Sequence, residues 1–96
     1  MRLTSVERKA LAHALQGVEA DAYVYGSRAD PSGRGGDIDV LVLSRAPSPY
    51  RLSKEIAVRF RMECDEKIDV MVIDPDHVPP EQEPFVRLIR KEAEPV

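Results

Sequence analysis

Residues 38–43 read Ile-Asp-Val-Leu-Val-Leu. Side chains alternate between the two faces of a strand, so an apolar residue at nearly every position puts greasy surface on both sides. Such a run is stable only inside a sheet that is covered on each face. A chain of 96 residues has enough length for one modest core and no more. The run therefore predicts a single domain, residues 1–96, built around a central strand. One residue resists that setting. Asp39 is charged and sits inside the run, and Asp37 stands two places before it.

The flanking sequence supplies the covers. Thr4-Ser5-Val6-Glu7 has the form of a capping box, with a glutamate three residues after the threonine. Val6, Ala10, Leu11, Ala14 and Leu15 then recur at helical spacing, and Gly17 ends the pattern. Ala22–Tyr25 is a short apolar run, read as a buried strand. Residues 26–36 are polar and rich in glycine, so they are read as loop. After the break at Ala46-Pro47-Ser48-Pro49, Leu52, Ile56, Ala57, Phe60 and Cys64 share one helical face. Residues 67–73 form a third strand, residues 74–80 a proline-rich turn, and Phe85, Val86, Leu88 and Ile89 mark a last amphipathic helix with Pro84 in its first turn. The order helix, strand, strand, helix, strand, helix predicts an α/β (α+β) fold: a small mixed sheet of about three strands packed by helices.

Charge and cysteine content exclude several classes. With 14 basic and 17 acidic residues the formal net charge is -3, which gives no electrostatic case for general nucleic-acid or membrane binding. No apolar run reaches transmembrane length. Glu7, Arg8 and Lys9 interrupt the N-terminal stretch, so no signal peptide is expected there. The single cysteine, Cys64, permits no intrachain disulfide and fits a cytoplasmic setting.

The acids carry the chemistry. Residues i and i+2 of a strand face the same way, roughly 7 Å apart. Asp37 and Asp39 can therefore converge on divalent cations, and paired metals in phosphoryl-transfer sites lie roughly 3.5–4 Å apart. Asp69 is a lone charge in the third apolar run. Beside the Asp37/Asp39 face it becomes a third ligand or a general base. Hard oxygen donors favour Mg²⁺ or Mn²⁺ over zinc, and magnesium completes its shell with waters and substrate phosphates. A nucleoside triphosphate is the natural ligand. The blander account, in which Asp37 caps the loop and Asp69 pairs with an arginine, serves for one strand-mouth aspartate but not for three acids on two core strands.

Gly26-Ser27 follows the first strand directly. Glycine lets the backbone turn sharply and approach a ligand closely. Exposed N–H groups at the start of a short helical turn make an anion site, and Arg28 and Arg34 add charge suited to phosphate. Nine residues separate Ser27 from Asp37. The pattern Tyr25-Gly26-Ser27-Arg28-Ala29, then Gly36-Asp37-Ile38-Asp39-Val40-Leu41-Val42, resembles the DNA polymerase β-like nucleotidyltransferase superfamily. The size is similar to its minimal nucleotidyltransferase (MNT) branch, and the likeness runs from Ala22 through Ile73.

That resemblance implies a polymerase β-type fold and a set of roles. Gly26 and Ser27 would hold the triphosphate. Asp37 and Asp39 would bind two Mg²⁺ ions, and Asp69 would complete the metal site and help deprotonate the acceptor. It implies an Mg-dependent enzyme of adenylyltransferase type that moves AMP from ATP to a hydroxyl and releases pyrophosphate. It also implies a HEPN-domain partner within a toxin–antitoxin pair, with this chain as antitoxin and a tyrosine of the toxin as acceptor. The alternative is a non-catalytic module that neutralises its partner by complex formation. A homo-oligomer is open as well, because Asp39, Leu41 and Leu43 share a face whose apolar part needs a cover.

Other chemistry-bearing residues have plainer readings. His13 and His77 lack metal-spaced partners. Cys64 continues a helical stripe and is read as packing. Arg51, Arg59 and Arg61 suggest a solvated basic face, and Tyr23 and Tyr25 are read as strand packing.

Overall fold

Both faces of the Ile38–Leu43 run are covered by the chain itself. The computed structural model describes residues 2–29 and 36–96. In chain order it comprises helix α1 (Ser5–Ala14), strand β1 (Asp21–Tyr25), a 3₁₀ turn (Gly26–Ala29), strand β2 (Ile38–Leu43), helix α2 (Pro49–Arg61), strand β3 (Ile68–Ile73), a second 3₁₀ turn (Pro80–Gln82), helix α3 (Glu83–Glu92) and strand β4 (Glu94–Pro95). The sheet order is β3-β2-β1-β4. β2 pairs antiparallel with β1 and parallel with β3, so the sheet is mixed, as expected. The fold is α+β and consistent with the polymerase β-like nucleotidyltransferase architecture.

On one face, Ile38, Val40 and Val42 join Ala22, Val24 and Ile68 against Ala10, Leu11 and Ala14 of α1 and Ile56 and Phe60 of α2. On the other face Leu41, Leu43 and Ile73 pack with Val86 and Ile89 of α3. The apolar surface beyond Asp39 is thus covered by α3. The parallel β2–β3 pair requires a crossover, and α2 provides it.

Local chemistry explains the helix ends. Thr4 caps α1: its hydroxyl accepts from the Glu7 N–H, and the Glu7 carboxylate accepts from the Thr4 N–H at 2.8 Å. Ser48 caps α2 in the same sense, with Pro49 in its first turn.

Three details depart from expectation. The sheet has a fourth strand: β4 pairs antiparallel with β1 through Tyr23↔Pro95 and Val24↔Glu94. Two residues, one of them proline, carry no strand signal, and the pairing exists only because α3 delivers them to the β1 edge. On α1, Val6 is exposed while Glu7 is buried, the reverse of the amphipathic pattern. Asp69 is exposed, because β3 is an edge strand whose Asp69 and Met71 look outward. Among the described residues no helix is long and apolar enough to cross a membrane.

Candidate functional site

The parallel register sets Asp39 of β2 directly beside Asp69 of β3. The antiparallel register sets Tyr25 of β1 on the other side of Asp39. Tyr25, Asp39 and Asp69 therefore form one row across three strands at one end of the sheet. α3 shares that region through Phe85, whose ring meets Tyr25 edge-on at 5.2 Å. Asp37 stands at the threshold of β2, where the Ile38 N–H donates to the Lys67 carbonyl at 3.0 Å and ties the mouths of the two strands together.

The row is electrostatically loaded. The Asp39 carboxyl is held above the usual aspartate range, first by its burial and then by the negative charges of Asp69 and Asp37. Burial and then the negative charges of Asp39 and Asp69 push the Tyr25 hydroxyl up. A cation reaches this end from one side: Lys67 Nζ lies 3.6 Å from Asp37 Oδ2, with both side chains largely exposed. A site of this kind stabilises added positive charge.

Gly26 is required by its position. It has φ 76°, a left-handed conformation that side-chain-bearing residues rarely adopt. A Cβ placed there would fall 2.6 Å from Asp39 Oδ2. The Gly26–Ala29 turn thus passes directly over the Asp39 carboxylate. Ser27 belongs to this turn, as its place after the first strand suggested.

Arg28 is only 5% exposed. Its Nε donates to the Gly36 carbonyl at 3.0 Å, and its NH1 donates to Glu7 Oε1 at 2.8 Å and to the Arg2 carbonyl at 3.2 Å. The hydrogen bond to Glu7 raises the basicity of Arg28, and the same bond holds the Glu7 carboxyl below its ordinary range. Of the residues expected at a phosphate site, three lie within the described residues. Gly26 and Ser27 lie on the turn beside Asp39. The Arg28 guanidinium is spent on protein acceptors. Arg34 lies outside the described residues.

Hard carboxylate oxygens are the donor set at this end, which fits Mg²⁺ or Mn²⁺ by chemistry. Among the described residues no three such side chains already surround a single ion position. Magnesium tolerates this, since it is commonly held by one or two carboxylates with water and substrate phosphate completing the octahedron.

Sequence reasoning left out Lys67, Tyr25 and Glu7. Lys67 was not legible, because its closeness to Asp37 follows from the register that pairs Ile38 with Ile68. Tyr25 was read as packing. It does pack, but beside two carboxylates. Glu7 was legible as a cap and not as the partner of a residue 21 positions away.

His13 pairs with Glu63 at 2.7 Å and His77 with Asp74 at 3.2 Å, both on the surface. Cys64 packs at the edge of the main core.

In comparison with protein families, a model described as nucleotidyltransferase domain matches residues 7–95. No curated protein matches the chain.

Proposed function

The chain belongs to the nucleotidyltransferase-domain family, and on that footing we propose that it transfers AMP from Mg²⁺-bound ATP to an acceptor hydroxyl, releasing pyrophosphate. Nucleotide transfer is the general chemistry of that family. The pairing of Asp39 with Asp69, with Asp37 close enough to add to the charge on Asp39, supports the finer statement most directly.

Asp37, Asp39 and Asp69 would hold the metal, Mg²⁺ or Mn²⁺. When bound, the ions would neutralise phosphate charge and favour in-line displacement at the α-phosphorus. The remaining work falls to the chain. Gly26 brings backbone next to Asp39 without a side chain of its own in the way, so the N–H groups of this turn would cradle phosphate oxygens. Asp69 is exposed on its edge strand, and in this reading it would take the proton of the acceptor hydroxyl. Arg34 is proposed as a further phosphate contact.

The acceptor hydroxyl is proposed to lie on another protein. We assign that role to a HEPN-domain toxin, with a tyrosine hydroxyl as nucleophile and this chain as a cytoplasmic antitoxin. A second reading, a non-catalytic antitoxin that works by complex formation, draws on the lack of a preassembled three-ligand ion position among the described residues.

The test incubates the purified chain with Mg²⁺ and ATP labelled at the α-phosphate, with a HEPN-domain protein present. The expected outcome is labelled toxin with matching pyrophosphate, abolished by Asp37→Asn/Asp39→Asn. Full protection of cells by that double variant, with no label transferred by wild type, would establish the non-catalytic reading instead.

A further inference from the structure

Arg28 and Glu7 form an ion pair at 2.8 Å, with the two residues 5% and 3% exposed. Burying such a pair is a poor route to stability. Desolvation offsets the attraction, and well-packed apolar residues often do as well or better. The destination of the other donors is more informative. Arg28 Nε reaches the carbonyl of Gly36, the residue before Asp37. Arg28 NH2 lies 3.9 Å from Glu66, the residue before Lys67. The Arg28 carbonyl accepts from the Arg2 N–H at 2.6 Å, and Arg28 NH1 returns a bond to the Arg2 carbonyl. One guanidinium thus joins the cap of α1, the Gly-Ser turn and the entrances of β2 and β3.

Gly36 makes that tether matter. It has φ 149°, in a region open to glycine and closed to most residues. A glycine immediately before Asp37 has more freedom than any other residue, so the orientation of Asp37 depends on what fixes Gly36.

We propose that the buried Glu7–Arg28 pair is a positioning device: Glu7, fixed by the capping box of α1, orients Arg28, and Arg28 holds the Gly36 carbonyl so that Asp37 faces the Asp39–Asp69 pair. Neither residue touches the nucleotide. This rests on the reading of those three aspartates as the metal–nucleotide site. It gives the N-terminal helix a function at the other side of the sheet and explains why a carboxylate occupies a buried position while Val6 faces solvent.

Two variants separate positioning from plain structural support. Arg28→Lys keeps a cation opposite Glu7 but has one nitrogen, which cannot serve Glu7 and Gly36 together. Glu7→Gln/Arg28→Gln removes both charges, so no uncompensated charge is buried if the lysine variant fails to fold. Two readouts are taken on wild type and on each folded variant. One is amide exchange at Ile38, relative to amides in α2. The other is the affinity for Mg²⁺-ATP by calorimetry.

The expected result is at least tenfold faster exchange at Ile38 with α2 unchanged, and at least tenfold weaker Mg²⁺-ATP binding. Unchanged exchange at Ile38 in a folded variant overturns the proposal. Faster exchange with wild-type affinity overturns it too, since the pair would then be structural support only. If wild type itself binds no Mg²⁺-ATP, the nucleotide reading fails, and the exchange readout still decides whether the pair fixes the Asp37 limb.

Discussion

Asp39 sits between Ile38 and Val40, both fully buried, and its carboxyl titrates above the usual range because of burial, Asp69 and Asp37. A raised carboxylate means that the folded state holds the proton more tightly than the unfolded chain does. Folding is therefore penalised as pH rises from the ordinary value of 3.8 through the folded value, and above the folded value the penalty is complete. Asp39→Asn removes it. The variant is expected to melt higher than wild type at pH 7 without added metal, with each kcal/mol recovered appearing as about 4–8 °C, and to lose Mg²⁺-ATP binding. A lower melting temperature for the variant would mean that Asp39 stabilises the fold. Gly26→Ala acts on the same carboxylate from the backbone side. The left-handed conformation costs a side-chain-bearing residue about 1–2 kcal/mol, and the new Cβ displaces Asp39 Oδ2. Chemical denaturation should show that loss, together with weaker nucleotide binding.

At the scale of elements, α3 has the clearest structural task. Val86 and Ile89 close the second core over Leu41, Leu43 and Ile73. Ile89→Ala is expected to cost about 2–5 kcal/mol, measured by urea denaturation, while Leu88→Ala, at an exposed position, should stay within about 0.5 kcal/mol. The elements differ in how far the sequence discloses them. The Thr4–Glu7 cap and the doubly buried β2 were legible because each depends on residues close together in the chain. β4 was not, since a Glu-Pro pair becomes a strand only when α3 presents it to β1. The Asp39–Asp69 neighbourhood could be anticipated from two apolar runs each interrupted by an acid. Its register, and Tyr25 on the other side of Asp39, are facts of strand pairing that periodicity does not encode. The partners of Arg28 were hidden for a related reason. Arginine beside a Gly-Ser turn suggests phosphate, but the acceptor that claims it, Glu7, comes from a different element.

For the whole molecule, Glu7 and Asp39 act in opposite directions with pH, and Asp76, held low by Arg45, acts in the same sense as Glu7. Glu7 is held below its ordinary value of 4.5 by Arg28, so its contribution is complete above that value and is lost as pH falls through the lower folded value. Asp39 penalises folding on the alkaline side. Between them stability should peak on the acidic side of neutrality, above the range in which Glu7 loses its charge. Urea midpoints across pH 3–8 check this, and Glu7→Gln should flatten the acid limb. A monotonic rise in stability to pH 8 would show that Asp39 carries no such penalty. Adding Mg²⁺-ATP at pH 7 should offset the Asp39 penalty, because a ligand that binds only the folded state stabilises it by mass action.

The central claim is that the strand-mouth aspartates hold a cation that in turn holds a triphosphate. Its most direct test is calorimetric titration of ATP into wild type and Asp37→Asn/Asp39→Asn, each with and without Mg²⁺. Binding by wild type that requires Mg²⁺ and weakens at least tenfold in the variant, about 1.4 kcal/mol or more, is the predicted result. Equal binding by both proteins regardless of Mg²⁺, or no binding by wild type, would contradict it.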